Sequence, residues 1–487
     1  MGNGKYRSKV FTNFFWRFAE RSLAQIIQFL VSIVLARILT PDDYGTVALV
    51  LVITQILQVF VDSGLGNALI QKKDTDDVDF STVFYFNVVW CVLLYLFIFV
   101  IAPYIAEFYK NEKLTSVIRV LSITVIVSGV KNVQQAYVSR NLLFKKFFWA
   151  TLFGTISSAI VGITLAYKGG GIWALVAQYL TNLSIDTLML WIIVKWRPIK
   201  SFSITRLRVL LSYGWKLLAS ALLNTIYTNI RQLIIGKMYS SGDLAFYNRG
   251  EQFPSVIVTN VNTSIDSVLL PVMSREQDNT KRIKDMVRRS ITISIYVMAP
   301  LMMGLAFCAR PIVILLLTDK WIPCVFFLRV FCVTYMFYPI HTANLNAIMA
   351  MGRSDIFFKL EVIKKIMGST ILIATMWFGV KWMTYGMIVS SILSQIINSW
   401  PNRKLLNYSY LEQIRDIIPS IIKALLMGIV VYVIGFIHLP LFLVVVIQIV
   451  SGAFIYLFLS KITNCSEFYY ILSIIKQRTN HASTKEN

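Results

Sequence analysis

The sequence predicts an all-α, polytopic integral membrane protein of about 14 transmembrane helices, as two pseudo-symmetric six-helix lobes plus two extra C-terminal helices. Three observations lead there. Apolar runs of membrane-spanning length recur from end to end. The chain is 56% hydrophobic and 15% charged, where a soluble chain carries about 25% charged residues. One stretch also occurs twice: FFWRFAERSLAQIIQFLVSIVLARILTPDDYG at 14–45 is echoed from Tyr213 by YGWKLLASALLNTIYTNIRQLIIGKMYSSGDLAFY.

The repeat sets the organisation. Trp16-Arg17 lines up with Trp215-Lys216 and Gln25 with Asn224. After a one-residue slip, Ala36-Arg37 meets Gly236-Lys237 and Asp43 meets Asp243. Farther on, Ala102-Pro103-x-Ile105 resembles Arg310-Pro311-Ile312, Arg119-Val120 resembles Arg329-Val330, and Gly170-x-x-Trp173 resembles Gly379-x-x-Trp382. An even number of spans per repeat makes both halves enter from the same side, giving a parallel repeat with its pseudo-two-fold along the membrane normal.

Element by element, residues 1–13 are an N-terminal segment and 14–196 a first lobe, with spans near 14–39, 44–70, 81–107, 114–138, 148–168 and 171–195. A basic linker follows at 197–212. The second lobe, 213–404, has spans near 213–238, 244–273, 290–317, 322–350, 360–379 and 382–402. Two extra spans occupy 415–460, and 461–487 form a polar tail. The longest loops, 196–212 and 274–289, leave no room for a soluble catalytic domain, so a transporter rather than an enzyme is expected.

The net charge of +23 invites a nucleic-acid reading, but its distribution opposes one. Lys5, Arg7 and Lys9; Lys72 and Lys73; Arg140, Lys145 and Lys146; and the linker cations fall in alternate loops, as do Arg275 to Arg289, Arg353, Lys359 and Lys461. The opposite loops hold little beyond Lys110, Lys113, Lys168, Lys320 and Lys381. The positive-inside rule then puts both termini in the cytoplasm. The first apolar run reads as a span and not as a cleaved signal. Five scattered cysteines make no disulfide framework, and three histidines make no metal site.

A charge near the middle of a span costs roughly 2.5–3.5 kcal/mol and needs a reason. Arg17, Glu20 and Arg21 are spaced i, i+3, i+4 on the first span. They read either as a cationic anchor for an anionic head group, tuned by Glu20, or as snorkelling residues behind the aromatics Phe14, Phe15 and Trp16. Arg231 lies inside the seventh span among Asn224, Tyr227, Thr228, Asn229 and Gln232, a polarity that predicts a cavity lining. Asp62 and Asp266 occupy similar places in the two repeats. Each can bind a proton or cation, or cap a helix break made by Gly64 and Gly66 or by Pro271. Lys131 and Asp186 are embedded charges without an assigned partner. His341 reads as a satisfied core residue. DTDDVD at 74–79 reads as a solvated helix start, not as a metal motif.

Several segments together resemble the polysaccharide transport family of the multidrug/oligosaccharidyl-lipid/polysaccharide exporter superfamily. They are LARILTPDDYG at 35–45, VDSGLGNALIQKK at 61–73, STVFYFN at 81–87, SRNLLFKKF at 139–147, GGIWALVAQ at 170–178, LIIGKMYSSGDLAFYNR at 233–249, SVLLPVMSR at 267–275 and DKWIPCVFFLRV at 319–330. The branch is similar to the Wzx-type flippases of colanic- and teichuronic-acid export. The resemblance implies two six-helix lobes about a cationic cavity. It implies alternating access that carries undecaprenyl-diphosphate-linked oligosaccharide units outward across a bacterial plasma membrane. It also implies pathway glycosyltransferases and a polymerase as partners, membrane lipids around a monomer, no cofactor, and a proton or sodium ion as the coupling ion. On this basis Arg17, Arg21, Arg231, Asn224, Asn229 and Lys131 are substrate-binding candidates, and Glu20, Asp62 and Asp266 ion-coupling candidates. Many relatives carry an acidic residue near Arg231, a departure that leaves ion coupling through that position open. Another exported substrate, such as lipid II or a drug, and a membrane polymerase are the rival readings.

Overall fold

The structure, a computed structural model, describes residues 2–62 and 64–473, and among them the side chains of 16, 19–62 and 64–473. The described residues are helical with no strand, and twelve helical stretches are long and apolar enough to cross a membrane. The chain is therefore a multi-pass helical membrane protein. It divides into two compact units, 1–245 and 246–487.

The first unit contains α1 (Gly2–Ile38), α2 (Pro41–Asp62), α3 (Leu65–Gln71), α4 (Asp77–Tyr109), α5 (Lys113–Leu121), α6 (Ile123–Arg140), α7 (Phe144–Tyr167), α8 (Ile172–Ile193) and α9 (Ile204–Met238). The helix α9, which opens the second sequence repeat, packs here on α2, α3 and α4. Aromatic packing closes one end: Phe80 lies 5.6 Å from Tyr137 and 5.7 Å from Trp196. The linker is stitched to α4, since Ile199 N–H donates to Ser81 Oγ at 2.9 Å and Ser203 N–H to Thr82 Oγ1 at 3.1 Å.

DTDDVD is a helix start, solvated as expected at Asp74, Asp76 and Asp77 but not at Asp79, which is buried and pairs with Lys72 at 2.6 Å. The Asp76 side chain accepts the Asp79 N–H at 3.0 Å, and Asp79 reciprocates at 3.3 Å, a capping box opening α4. Arg206 reaches Asp76 at 2.5 Å and holds its carboxyl below the usual carboxylate range.

The second unit continues α10 (Ser241–Arg275) through α11 (Thr280–Phe307), α12 (Ala309–Leu317), α13 (Cys324–Met336), α14 (Tyr338–Ala350), α15 (Ser354–Thr375), α16 (Val380–Leu405), α17 (Tyr410–Ile434) and α18 (Leu441–Ile462). The expected eleventh and twelfth spans correspond to α15 and α16, which are absent from the twelve apolar ones. Lys359, Glu361, Lys364 and Lys365 charge α15. Ser391, Gln395, Asn398, Ser399 and Asn402 of α16 are polar yet buried. Protein covers them, so α16 needs fewer apolar residues than a lipid-facing helix of its length. A buried amide cluster makes this concrete: Asn402 Nδ2 donates to Asn344 Oδ1 at 2.7 Å and Gln413 Nε2 to the same oxygen at 3.0 Å.

The repeat is visible in local geometry. Thr40 Oγ1 donates to Asp43 Oδ2 at 2.7 Å and accepts the Asp43 N–H at 3.2 Å. Ser240 and Asp243 make the same pair of bonds, at 2.7 and 3.0 Å. Arg119 Nε donates to the Phe99 carbonyl at 3.2 Å, and Arg329 Nε to that of Ala306 at 3.2 Å. The fourth and tenth spans are each broken within their length, at Ser122 and Phe337.

Close packing of α10 on α13 needs a glycine. A Cβ on Gly250 would lie 2.5 Å from Phe327 Cβ and 2.7 Å from Leu328 N. Gly250→Val is therefore expected to cost more than the ~1–3 kcal/mol usual for overpacking, because a main-chain atom must yield. The check is a clear fall in thermal midpoint and monodisperse yield in detergent; an unchanged midpoint would contradict the close approach.

Candidate functional site

Each unit carries one long spanning helix whose middle is polar. In α9, Asn224 and Thr228 are exposed, Asn229 is 8% exposed, and Arg231 is half-buried. Thr228 Oγ1 donates to the Asn224 carbonyl at 3.0 Å and Asn229 Nδ2 to that of Thr225 at 2.9 Å. These bonds spend the neutral donors on the helix itself. Arg231 differs, because its Nε is buried without a hydrogen-bond partner. A guanidinium N–H in that state is expensive unless an acceptor arrives. Exposed amides and hydroxyls in a spanning helix cannot face hydrocarbon, so this face of α9 borders water or a polar ligand.

The second unit has a matching run, of which the sequence marked only Asp266. In α10, Asn260, Thr263, Ser264, Asp266 and Ser267 are exposed within a spanning helix. Thr263 donates to Thr259 O at 2.7 Å and Ser264 to Asn260 O at 2.8 Å. The signal was available in the run TNVNTSIDS at 259–267, which alternates too few apolar residues to seal against lipid.

The first-span cluster divides. Trp16 packs edge-on against Phe148 of α7 at 5.2 Å, with Lys145 Nζ 5.3 Å above its ring. One turn on, Glu20 is buried and accepts a 3.2 Å hydrogen bond from Thr151 Oγ1. Arg21 is exposed. The Arg17 side chain lies outside the described residues.

Two helix-break readings need correction. Asp62 does not cap α3: the N-cap is Gly64, without a side-chain cap bond, and Asp62 instead accepts from Asn132 at 3.1 Å and Gln58 at 3.4 Å. Gly64 makes the break itself, with φ 70 and a Cβ position 2.6 Å from the Gly214 carbonyl oxygen. Asp266 caps nothing either, because α10 runs unbroken through Pro271; it accepts from Asn346 Nδ2 at 2.8 Å. Inter-helix amide bonds outcompete capping at both positions.

The embedded charges Lys131 and Asp186 are partners, 2.5 Å apart between α6 and α8. The pairing escaped the sequence because the residues are 55 apart and sit on different spans. His341 is held by Asn398 at 3.0 Å and by the edge of Tyr338, as a core histidine should be.

The teichuronic acid biosynthesis protein TuaB of Bacillus subtilis (strain 168) is 22% identical over 90% of this chain and 92% of its own length. The lipopolysaccharide biosynthesis protein WzxC of Escherichia coli (strain K12) is 24% identical over 82% and 83%. A solved structure of the lipid II flippase MurJ, in an inward closed conformation, has a TM-score of 0.75 at 15% identity, covering 92% of this chain and 98% of that one. At that identity the likeness is one of fold. Residues 34–326, more than half of the chain, match the model of one family, and the chain accordingly belongs to the polysaccharide biosynthesis protein family.

Proposed function

We propose that the chain is a flippase that carries lipid-linked oligosaccharide units, on an undecaprenyl-diphosphate carrier, from the inner to the outer leaflet of a bacterial plasma membrane for surface-polysaccharide synthesis. The observation that carries this reading is Arg231, a cation with a buried, unpartnered N–H on the polar face of a spanning helix. A diphosphate bearing sugars cannot cross hydrocarbon unaided, and it requires cationic donors within the bilayer. Arginine suits the task because its fork grips phosphate oxygens and it does not deprotonate. Asn224 offers its exposed amide and Asn229 its side-chain oxygen to sugar hydroxyls, while Arg17 and Arg21 meet the head group near the cytoplasmic surface. The relatives named for teichuronic acid and lipopolysaccharide biosynthesis support the substrate class. A proton or sodium gradient supplies the work, with Glu20, Asp62 and Asp266 as the coupling carboxylates.

Deleting the gene is expected to abolish one surface polysaccharide and to leave its lipid-linked unit on the cytoplasmic leaflet, measured by leaflet-selective labelling. Altered polymer length with continued export of single units would favour a polymerase instead. Accumulated lipid II would point to the other lipid-linked substrate.

Topology gives a second check. Cations crowd the loops near Asn279 and before Asn487, whereas Lys381 stands in a sparsely charged one. Reporters at Asn279 and after Asn487 are expected to read cytoplasmic and one at Lys381 external. An external signal at Asn279 would overturn the six-plus-six arrangement.

A further inference from the structure

The second unit holds a charged cavity that shares no residue with the polar runs of α9 and α10. It measures about 630 Å³ and lies between the start of α11, the start of α17 and the chain just after α18. Clefts of about 300–1,000 Å³ are of the size that holds small ligands. Arg282, Arg288 and Arg289 of α11 line it, with Asp285 of the same helix, Asp416 of α17 and Glu467 of the tail.

Two of the carboxylates are engaged within the protein. Asp416 accepts from Arg288 at 2.6 Å on one oxygen and from the Tyr408 hydroxyl at 2.7 Å on the other. Glu467 accepts the Cys465 thiol at 3.0 Å and the Ser466 hydroxyl at 3.1 Å. Asp285 lies four residues before Arg289, the spacing at which a helix pairs opposite charges. Among the described residues Arg289 makes no ion pair with it, and its guanidinium lies 3.8 Å over the ring of Tyr470 instead. Stacking occupies the face of a guanidinium and leaves the N–H donors at its edge for another acceptor. Arg282 pairs with Glu276 at 2.9 Å and likewise keeps donors in reserve.

The surrounding sequence narrows the choice of ligand. KRIKDMVRR at 281–289 holds five cations and one acid, and the apolar run ITISIYVMAPLMM starts at 291. Arg288 and Arg289 therefore stand at the membrane boundary, where a tyrosine such as Tyr470 also belongs. Topology alone asks for cations in a loop, not for three that converge on one cavity. A basic cluster beside a span that opens into a pocket between helices is the chemistry that holds an anionic lipid head group. We propose that this cavity binds the head group of an anionic membrane phospholipid. Arg289 grips its phosphate, Arg288 offers a second fork held in place by Asp416, and Arg282, two turns earlier on α11, meets the outer end of the head group. The bound lipid ties the start of α11 to α17 and to the helical stretch 466–473. The proposal is independent of what the protein carries and needs only that the chain sits in a bilayer.

The test is lipid retention by the full-length chain, delipidated in detergent, offered equal phosphatidylglycerol and phosphatidylcholine, and read by native mass spectrometry. The parent is expected to retain phosphatidylglycerol in preference. Arg289→Gln should weaken that retention about five-fold, and Arg282→Gln/Arg289→Gln about twenty-five-fold, at the weight of one basic residue near an anionic membrane for each change. Arg289→Lys, which keeps the charge and guards against misfolding, should recover most of the loss. Lys281→Gln/Lys359→Gln removes as much charge from exposed positions outside the cavity and should leave retention unchanged. Equal losses in the two double variants would reduce the effect to diffuse surface charge and overturn the proposal, as would equal retention of both lipids by the parent. Displacement of the lipid by millimolar inorganic phosphate or glycerol phosphate would assign the cavity to a soluble anion, and stronger retention of undecaprenyl diphosphate would assign it to the carrier. Either result overturns the phospholipid.

Discussion

Arg231→Gln is expected to lower flipping of lipid-linked oligosaccharide in reconstituted vesicles about thirtyfold or more, at unchanged folded yield. That factor corresponds to about 2 kcal/mol, the lower end of the loss when one partner of a desolvated charge pair is removed. The geometry argues for so large an effect. Arg231 Nε has no protein acceptor, so its interaction energy is reserved for something outside the chain. Removing a guanidinium whose Nε–H is buried and unpartnered also relieves the fold of a cost, which is why stability should hold. Arg231→Lys should fall between, because it keeps the charge and loses the two-pronged grip. Flux in Arg231→Gln equal to the parent's would remove this residue from the substrate path.

Lys131→Met should be the most destabilising single change to the polar interior of the first unit. It strands Asp186 in a site where its side chain is only 11% exposed. Breaking a buried pair from one side typically costs about 3–5 kcal/mol. The double variant Lys131→Met/Asp186→Asn removes the stranded charge and should recover most of the loss. Thermal unfolding of the purified protein measures both. Equal midpoints for the parent and Lys131→Met would show that water already screens the pair.

The fold was legible to the extent that it depends on local chemistry. Span lengths, the match of Asp43 with Asp243 in the repeat and the DTDDVD helix start are all written in short windows, and each is found as the sequence suggests. Features that depend on a neighbour were not legible. The breaks at Ser122 and Phe337 carry no glycine at the break itself. The polar α16 crosses its unit because α14 and α17 cover Asn402. Asp62 turned from its own helix end to Asn132 because an amide 70 residues away was within reach. For the candidate site, Arg231 and its amide neighbours announce themselves by charge in an apolar run. The hydroxyl face of α10 does not, since serine and threonine barely alter a hydropathy average.

The placement of α9 has a bearing on how the chain is made. Its sequence ancestry is with the second repeat, yet its packing partners are α2, α3 and α4. A ribosome that has released only α1 to α8 has delivered a first unit with an open flank, including the main chain of Gly64 that Gly214 will cover. Assembly of that half must therefore wait for the linker and one further helix to enter the bilayer. Split versions of the protein should follow the same rule. Fragments divided at the loop after Arg275 leave α9 with the helices it packs on. Fragments divided at Ser201 oblige it to find them from the other polypeptide, and should complement less well.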